Sequence, residues 1–282
     1  MSTATRRGAR KPRTSRGSSF DEEPQSMEAE VVDVEIEQLG TFTKSKNIII
    51  YGPSGVGKTV LAGGAPNATF LSTETGVVAA QRAGHQAGLI YAPSWEHVVA
   101  GLKLADEKLG PEDWLIVDSV TKMQQLQIRW ILQENHKKNA SRDLDIPAVK
   151  DHQKWQNMFG RFIQKIIDAP YNSILVATSM MKDDEEGDEI VLPNIVGKNY
   201  SIAQNFCADA DMILFYNVSK TASTPDNTVR RVLAQPYPPW MAKDRYHCLG
   251  KFFDVEEDDF DAMAEIIDLI DASGIESDDE DE

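Results

Sequence analysis

The sequence predicts an α/β fold: a mostly parallel sheet with helices on both faces and an antiparallel extension toward the C-terminus. Three observations carry this. Short apolar runs alternate with helical stretches from residue 47 to residue 178, a glycine-rich loop follows the first run directly, and the rhythm changes beyond residue 178.

Taken in order, residues 1–30 combine Arg, Ser, Gly and Pro with little apolar content, too little to offset the entropy of ordering, and predict a disordered arm. Val32–Glu37 alternates apolar and acidic residues, as a half-exposed strand does. Asn47–Tyr51, Ala68–Ser72, Leu89–Ala92, Trp114–Val117, Ser173–Thr178 and Met212–Tyr216 are short apolar runs of the kind found in buried parallel strands. Helical stretches at Lys58–Gly63, Gly76–Ala83, Ser94–Leu109, Ser119–Asn135 and Lys150–Asp168 separate most of them. Met181–Leu192 then reads as a polar hairpin turning at Gly187, and Thr228–Gln235 as a strand antiparallel to Met212–Tyr216. In Asp259–Asp271 the residues Phe260, Met263, Ile266, Ile267 and Ile270 fall at helical spacing, which predicts an acidic amphipathic helix. The expected organisation is an arm over 1–30, one domain over 31–273 and an acidic tail over 274–282.

The formal net charge of −16 would exclude a polyanionic partner if it were spread evenly. It is not. Residues 1–19 carry six basic side chains and no acids, 20–39 carry eight acids and no bases, and 254–282 carry fifteen acids and no bases, which leaves 40–253 at +1. The two cysteines, Cys207 and Cys248, have neither disulfide-framework nor zinc spacing and read as reduced thiols. No apolar run is long enough to span a bilayer and no secretion signal is present, so a soluble cytoplasmic protein is expected, with no membrane partner.

Gly52-Pro53-Ser54-Gly55-Val56-Gly57-Lys58-Thr59 satisfies GxxxxGK[ST], between an apolar strand and an apolar helix start, the context such a loop requires. Its glycines let backbone N–H groups turn toward phosphate oxygens, Lys58 adds a charge toward the β and γ phosphates, and Thr59 can ligate Mg²⁺. ATP and Mg²⁺ are the expected cofactors. Asp118 ends the apolar strand WLIVD and is the Walker B candidate, holding the metal through water. Ser119 follows it, so a general base has to come from elsewhere. Glu74, after the strand Ala68–Ser72 at the edge where open α/β sheets bind ligands, is the candidate; its plainer role is a carboxylate near a helix start. Thr178 and Ser179 end another central strand, where a hydroxyl can sense a γ-phosphate or simply serve the fold.

This constellation resembles the RecA-like P-loop ATPase core, and more narrowly the bacteriophage nucleotide-binding ATPases of the RecA-like single-strand annealing group. The shared features are Ile48–Thr59, the TETG around Glu74, LIVDSV around Asp118, ILVATSM, LPNIVGK at Leu192–Lys198 and Ala242-Lys243-Asp244-Arg245, spread over about residues 32–270. That family often has an Asp two positions before the Glu, where this chain has Ser72. The resemblance implies an ATPase, its turnover stimulated by DNA, that assembles as a ring or filament on single-stranded DNA and promotes annealing or strand exchange in phage recombination or replication. It also implies a cation from a neighbouring subunit completing the site, at the positions of Lys243 and Arg245. Two other readings stay open: a nucleotide-switched scaffold with little turnover, and a P-loop small-molecule kinase.

For DNA, the basic residues Lys137, Lys138, Arg142 and Lys150 lie between two long helices, with Trp155 just beyond as a stacking or core residue. The segment after Thr178 carries Lys182 among six acids and would repel phosphates. The basic arm can add salt-sensitive contacts, and the acidic tail can compete with DNA or recruit a single-strand binding protein or another replication partner. Deleting residues 275–282 is therefore expected to tighten single-strand binding, most at low salt; a titration across a salt series that shows unchanged affinity rejects competition by the tail.

Overall fold

In a computed structural model the chain divides into two units, Met1–Phe42 and Thr43–Glu282. The structure describes residues 44–184, 186–197, 201–220, 228–256 and 260–273, all in the second unit. The expected arm, the strand Val32–Glu37, Lys198 and the acidic tail lie outside the described residues.

The first strand, β1 (Asn47–Gly52), is buried along its whole length. Its apolar run faces a core on each side: Ile49 and Tyr51 point into one cluster, Ile48 and Ile50 into the other. Parallel partners follow on both sides: β2 (Ala68–Ser72), β3 (Gly88–Tyr91), β4 (Trp114–Asp118), β5 (Asn172–Asp183) and β7 (Met212–Lys220). The antiparallel strands are β6 (Glu189–Pro193), β8 (Thr228–Leu233), β9 (Lys243–Asp244) and β10 (Phe252–Val255). The order across the sheet is β10-β8-β7-β1-β5-β4-β2-β3, with β6 on β5 and β9 on β7. The phosphate-loop strand is thus separated from the Walker B strand by β5, and the expected antiparallel extension follows on the far side of β7.

On one face lie α3 (Trp95–Lys108), α4 (Val120–Lys138), α5 (Val149–Ile167) and α6 (Ser201–Asp209), which bury Val98, Met123, Phe159, Ile163 and Phe206 in the first cluster. On the other lie α1 (Lys58–Gly63), α2 (Val78–Arg82) and α7 (Ala262–Ser273), with Leu61, Ala80, Met263, Ile266 and Ile270 in the second. α7 is the amphipathic helix read from its apolar spacing, except that Phe260 stands before it and meets His85 edge-on. The hairpin of β5 and β6 turns at Gly187, whose φ of 90° suits a residue without Cβ. The sequence pattern did not reveal α6, β9 or β10. Among the described residues no helix is long and apolar enough to cross a membrane.

The basic segment between the long helices differs from its expected form. α4 runs on to Lys138 and α5 begins at Val149, so Lys137, Lys138 and Lys150 are helical rather than in a loop. Lys137 bonds Glu134 at 2.7 Å. Arg142 turns inward to the buried carboxylate of Asp151, which also accepts from Asn135 Nδ2 at 2.8 Å and the Ala148 N–H at 2.8 Å. Trp155 is a core residue, 4% exposed, so stacking a base is not open to it in this conformation.

A buried carboxylate that holds three donors cannot be removed cheaply. Asp151→Ala is expected to lower stability by roughly 3 kcal/mol, because Arg142 and two further donors lose their acceptor; chemical denaturation checks this, and a loss below about 0.5 kcal/mol contradicts it.

Candidate nucleotide site

Strand register brings the motif residues to one edge. Gly52 pairs with Thr178, Asp118 with Val176, and Ser72 with Asp118, so the ends of β1, β4 and β2 stand beside the middle of β5. This is the carboxyl edge of the parallel sheet. The chain leaves it at Gly52, where an added Cβ would stand 2.0 Å from the Tyr216 carbonyl oxygen. Only glycine allows β7 to pass that close. Gly55 and Gly57 adopt φ of 83° and 100°, the left-handed region, and Gly57 caps α1 with no side-chain bond to its first-turn N–H groups. Those groups are left to an anion.

The side chains around this cradle are satisfied by one another. Lys58 is buried and donates to the carbonyls of Gly52 at 3.0 Å and Pro53 at 2.6 Å; burial pushes its pKa down, against the pull of Asp118. Thr59 Oγ1 donates to Asp118 Oδ2 at 2.7 Å. Burial raises the pKa of Asp118 above the ordinary carboxylate range, the hydrogen bond from Thr59 and the charge of Lys58 oppose the rise, and Glu74 adds to it. A hydroxyl and a carboxylate so placed form a hard-oxygen pair that fits Mg²⁺. Ser119, the residue after Asp118, caps α4 by accepting the Lys122 N–H at 3.4 Å.

Glu74 ends the loop after β2 with an exposed side chain, and its Oε1 lies 3.7 Å from Lys122 Nζ. Its backbone is fixed by Ser72, whose Oγ donates to the Glu74 carbonyl at 3.0 Å and accepts its N–H at 3.3 Å. Thr178 belongs to a polar cluster that sequence reasoning missed. Asn194 Nδ2 donates to Thr178 Oγ1 at 3.2 Å, the Asn194 N–H donates to the Thr178 carbonyl at 2.7 Å, and Thr121 Oγ1 donates to the Asn194 carbonyl at 3.0 Å. Gln124 exchanges two hydrogen bonds with the backbone of Val196, at 2.9 and 2.6 Å. Asn194 sits inside LPNIVGK, the signal that could have drawn attention to it.

On the far side of the phosphate loop a cavity of about 240 Å³ opens beside Gly57, walled by Val60, Ala79, Arg82, Tyr216, Arg230 and Phe260. None of these six had been singled out for it from the sequence.

Lys243 and Arg245 are not brought to this edge. β9 pairs with the beginning of β7, at the amino edge of the parallel strands. There Lys243 Nζ donates to the carbonyls of Cys207, Ala208 and Ala210, and Arg245 bonds Asp211 and the Ala208 carbonyl. Within one chain both residues close the C-terminal end of α6, where cations are favoured.

Comparison with protein families matches an AAA domain to residues 44–246. Comparison with curated proteins gave no match. Among solved structures, the chain is similar to the crystal structure of the flagellar accessory protein FlaH from Methanocaldococcus jannaschii, with 14% identity over 76% of this chain and 85% of that one and a TM-score of 0.36.

The raised pKa of Asp118 fixes a sign. The native state holds its proton to higher pH than the unfolded chain does, so this group costs stability increasingly as pH rises through that window and in full above it. Asp118→Asn, which can still accept from Thr59, is expected to raise the melting temperature of the nucleotide-free protein at pH 7 and to weaken Mg²⁺-dependent nucleotide binding; a lower melting temperature would contradict the assignment.

Proposed function

The chain belongs to the AAA domain family, a family of P-loop ATPases, and from that premise we propose that it binds ATP with Mg²⁺ and hydrolyses it at the carboxyl edge of β1, β2, β4 and β5. The observation that carries the proposal is the convergence on one edge of Lys58, Thr59 and Asp118 with Glu74 as a carboxylate beyond them. The glycine loop and the start of α1 bind the phosphates, and Lys58 exchanges the carbonyls of Gly52 and Pro53 for phosphate oxygens. The cavity beside Gly57 takes the nucleoside. Thr59 and Asp118 hold Mg²⁺, which supplies charge neutralisation of the phosphates when bound. Glu74 orients the attacking water, and the Thr178 hydroxyl, with Asn194, faces the terminal phosphate.

The finer part of the reading is that turnover serves an oligomer on single-stranded DNA, in phage recombination, annealing or replication. It is supported by the shared segments quoted above and by the cationic side chains of Lys137, Lys138 and Lys150 around the end of α4 and the start of α5, from which Arg142 is withdrawn. In the oligomer Arg245, which is about half exposed, reaches the site of the next subunit. One observation favours the scaffold alternative. Ser119 is committed to capping α4, so no acid stands next to Asp118, and turnover depends on Glu74.

Phosphate release measured with and without single-stranded DNA tests the proposal. Wild type is expected to turn over and to be stimulated by DNA, and Lys58→Ala to lose about 10²-fold or more. Nucleotide binding without turnover supports the scaffold, and DNA-independent transfer to a small acceptor supports the kinase.

A further inference from the structure

We propose that Lys122 is a positioning residue for Glu74. The inference rests on the reading of Glu74 as the group that orients the attacking water. Glu74 has a fixed backbone and an unfixed side chain. Its main chain is extended, with φ −130° and ψ 163°, it makes no side-chain cap bond to the short turn Thr75–Val77, and Ser72 grips both its N–H and its carbonyl. The carboxylate projects from this anchor with more than half its surface in solvent. An exposed glutamate visits many rotamers, and a water must find it in one of them.

The cap on α4 supplies the restraint. By accepting the Lys122 N–H at 3.4 Å, Ser119 fixes where the helix begins and therefore where Lys122 points. Its ammonium lies 3.7 Å from Glu74 Oε1. Asp118 and Glu74 are the carboxylates at the ends of β4 and β2, with Lys58 and Lys122 as the cations beside them, while Arg82 and Arg230 stand beyond the phosphate loop in the wall of the cavity. Lys58 is committed to the phosphate loop and Asp118 to Thr59, so Lys122 is the cation placed to draw the second carboxylate away from the first and to restrict its rotation. Ser119, which occupies the position where another ATPase would carry its acid, here aims the residue that holds the acid in place.

Steady-state hydrolysis by full-length Lys122→Met, Lys122→Arg, Glu74→Gln and the double variant Glu74→Gln/Lys122→Met tests this. An exposed ion pair contributes little to folding, so all four are expected to melt with the wild type. Lys122→Met is expected to lower kcat about tenfold with KM for ATP unchanged, and Lys122→Arg to restore most of that loss. On the Glu74→Gln background the Lys122→Met change is expected to cost nothing further, because its effect passes through the carboxylate. Wild-type kcat in Lys122→Met, a raised KM at constant kcat, or additive losses in the double variant would each overturn the positioning role. Wild-type kcat in Glu74→Gln would instead remove Glu74 from the reaction, and the inference with it.

Discussion

The parallel register of β1, β5, β4 and β2 is the constraint from which the site follows. Because Gly52 is paired with Thr178, and Asp118 with both Val176 and Ser72, the ends of β1, β4 and β2 and the middle of β5 arrive side by side, and each delivers a different kind of group there. The register in turn depends on β1 being buried on both faces, since a slip of one residue would exchange Ile49 and Tyr51 with Ile48 and Ile50 between two unlike cores. Gly52 is the price of that placement: its backbone passes so close to the Tyr216 carbonyl that no side chain fits. Packing on two faces therefore determines where the phosphate loop starts.

Four of the groups at this edge have a protein partner, whereas the Thr73 hydroxyl, buried where the Thr73 N–H meets the Asp118 carbonyl, has none among the described residues. Lys58 is held by its own loop, Thr59 by Asp118, Glu74 by Lys122, and Thr178 by Asn194. Binding of a nucleotide and a metal ion at Lys58, Thr59 and Asp118 would be an exchange of partners. Desolvation pushes Lys58 and Asp118 toward their neutral forms, so a phosphate and a metal ion restore charge that burial disfavours.

Much of this was legible in the sequence because it rests on local signals. Buried parallel strands need continuous apolar runs, the phosphate loop needs glycines at fixed offsets, and the amphipathic α7 needs apolar residues at helical spacing. What escaped notice depends on tertiary contacts that no motif marks. Arg142 looked available to phosphates until its partner Asp151 could be seen beneath it, and Lys243 could not be placed until α6 ended against it. Asn194 reaches Thr178 only because β6 folds back along β5, and Lys122 reaches Glu74 only because the carboxyl ends of β2 and β4 are adjacent. No spacing rule encodes these pairs. They are consequences of how the strands and helices pack.

β5 continues without a break from Asn172 to Asp183, well past the edge at which its neighbours stop. Its inner half is clamped between β1 and β4, while its outer half leaves the main sheet and pairs with β6. Thr178 stands at the transition. The six residues from Thr178 to Asp183 extend roughly 20 Å, so the strand carries the acidic hairpin outward from Thr178. The hairpin and the edge where β1 and β4 end are therefore parts of one continuous strand, joined at Thr178.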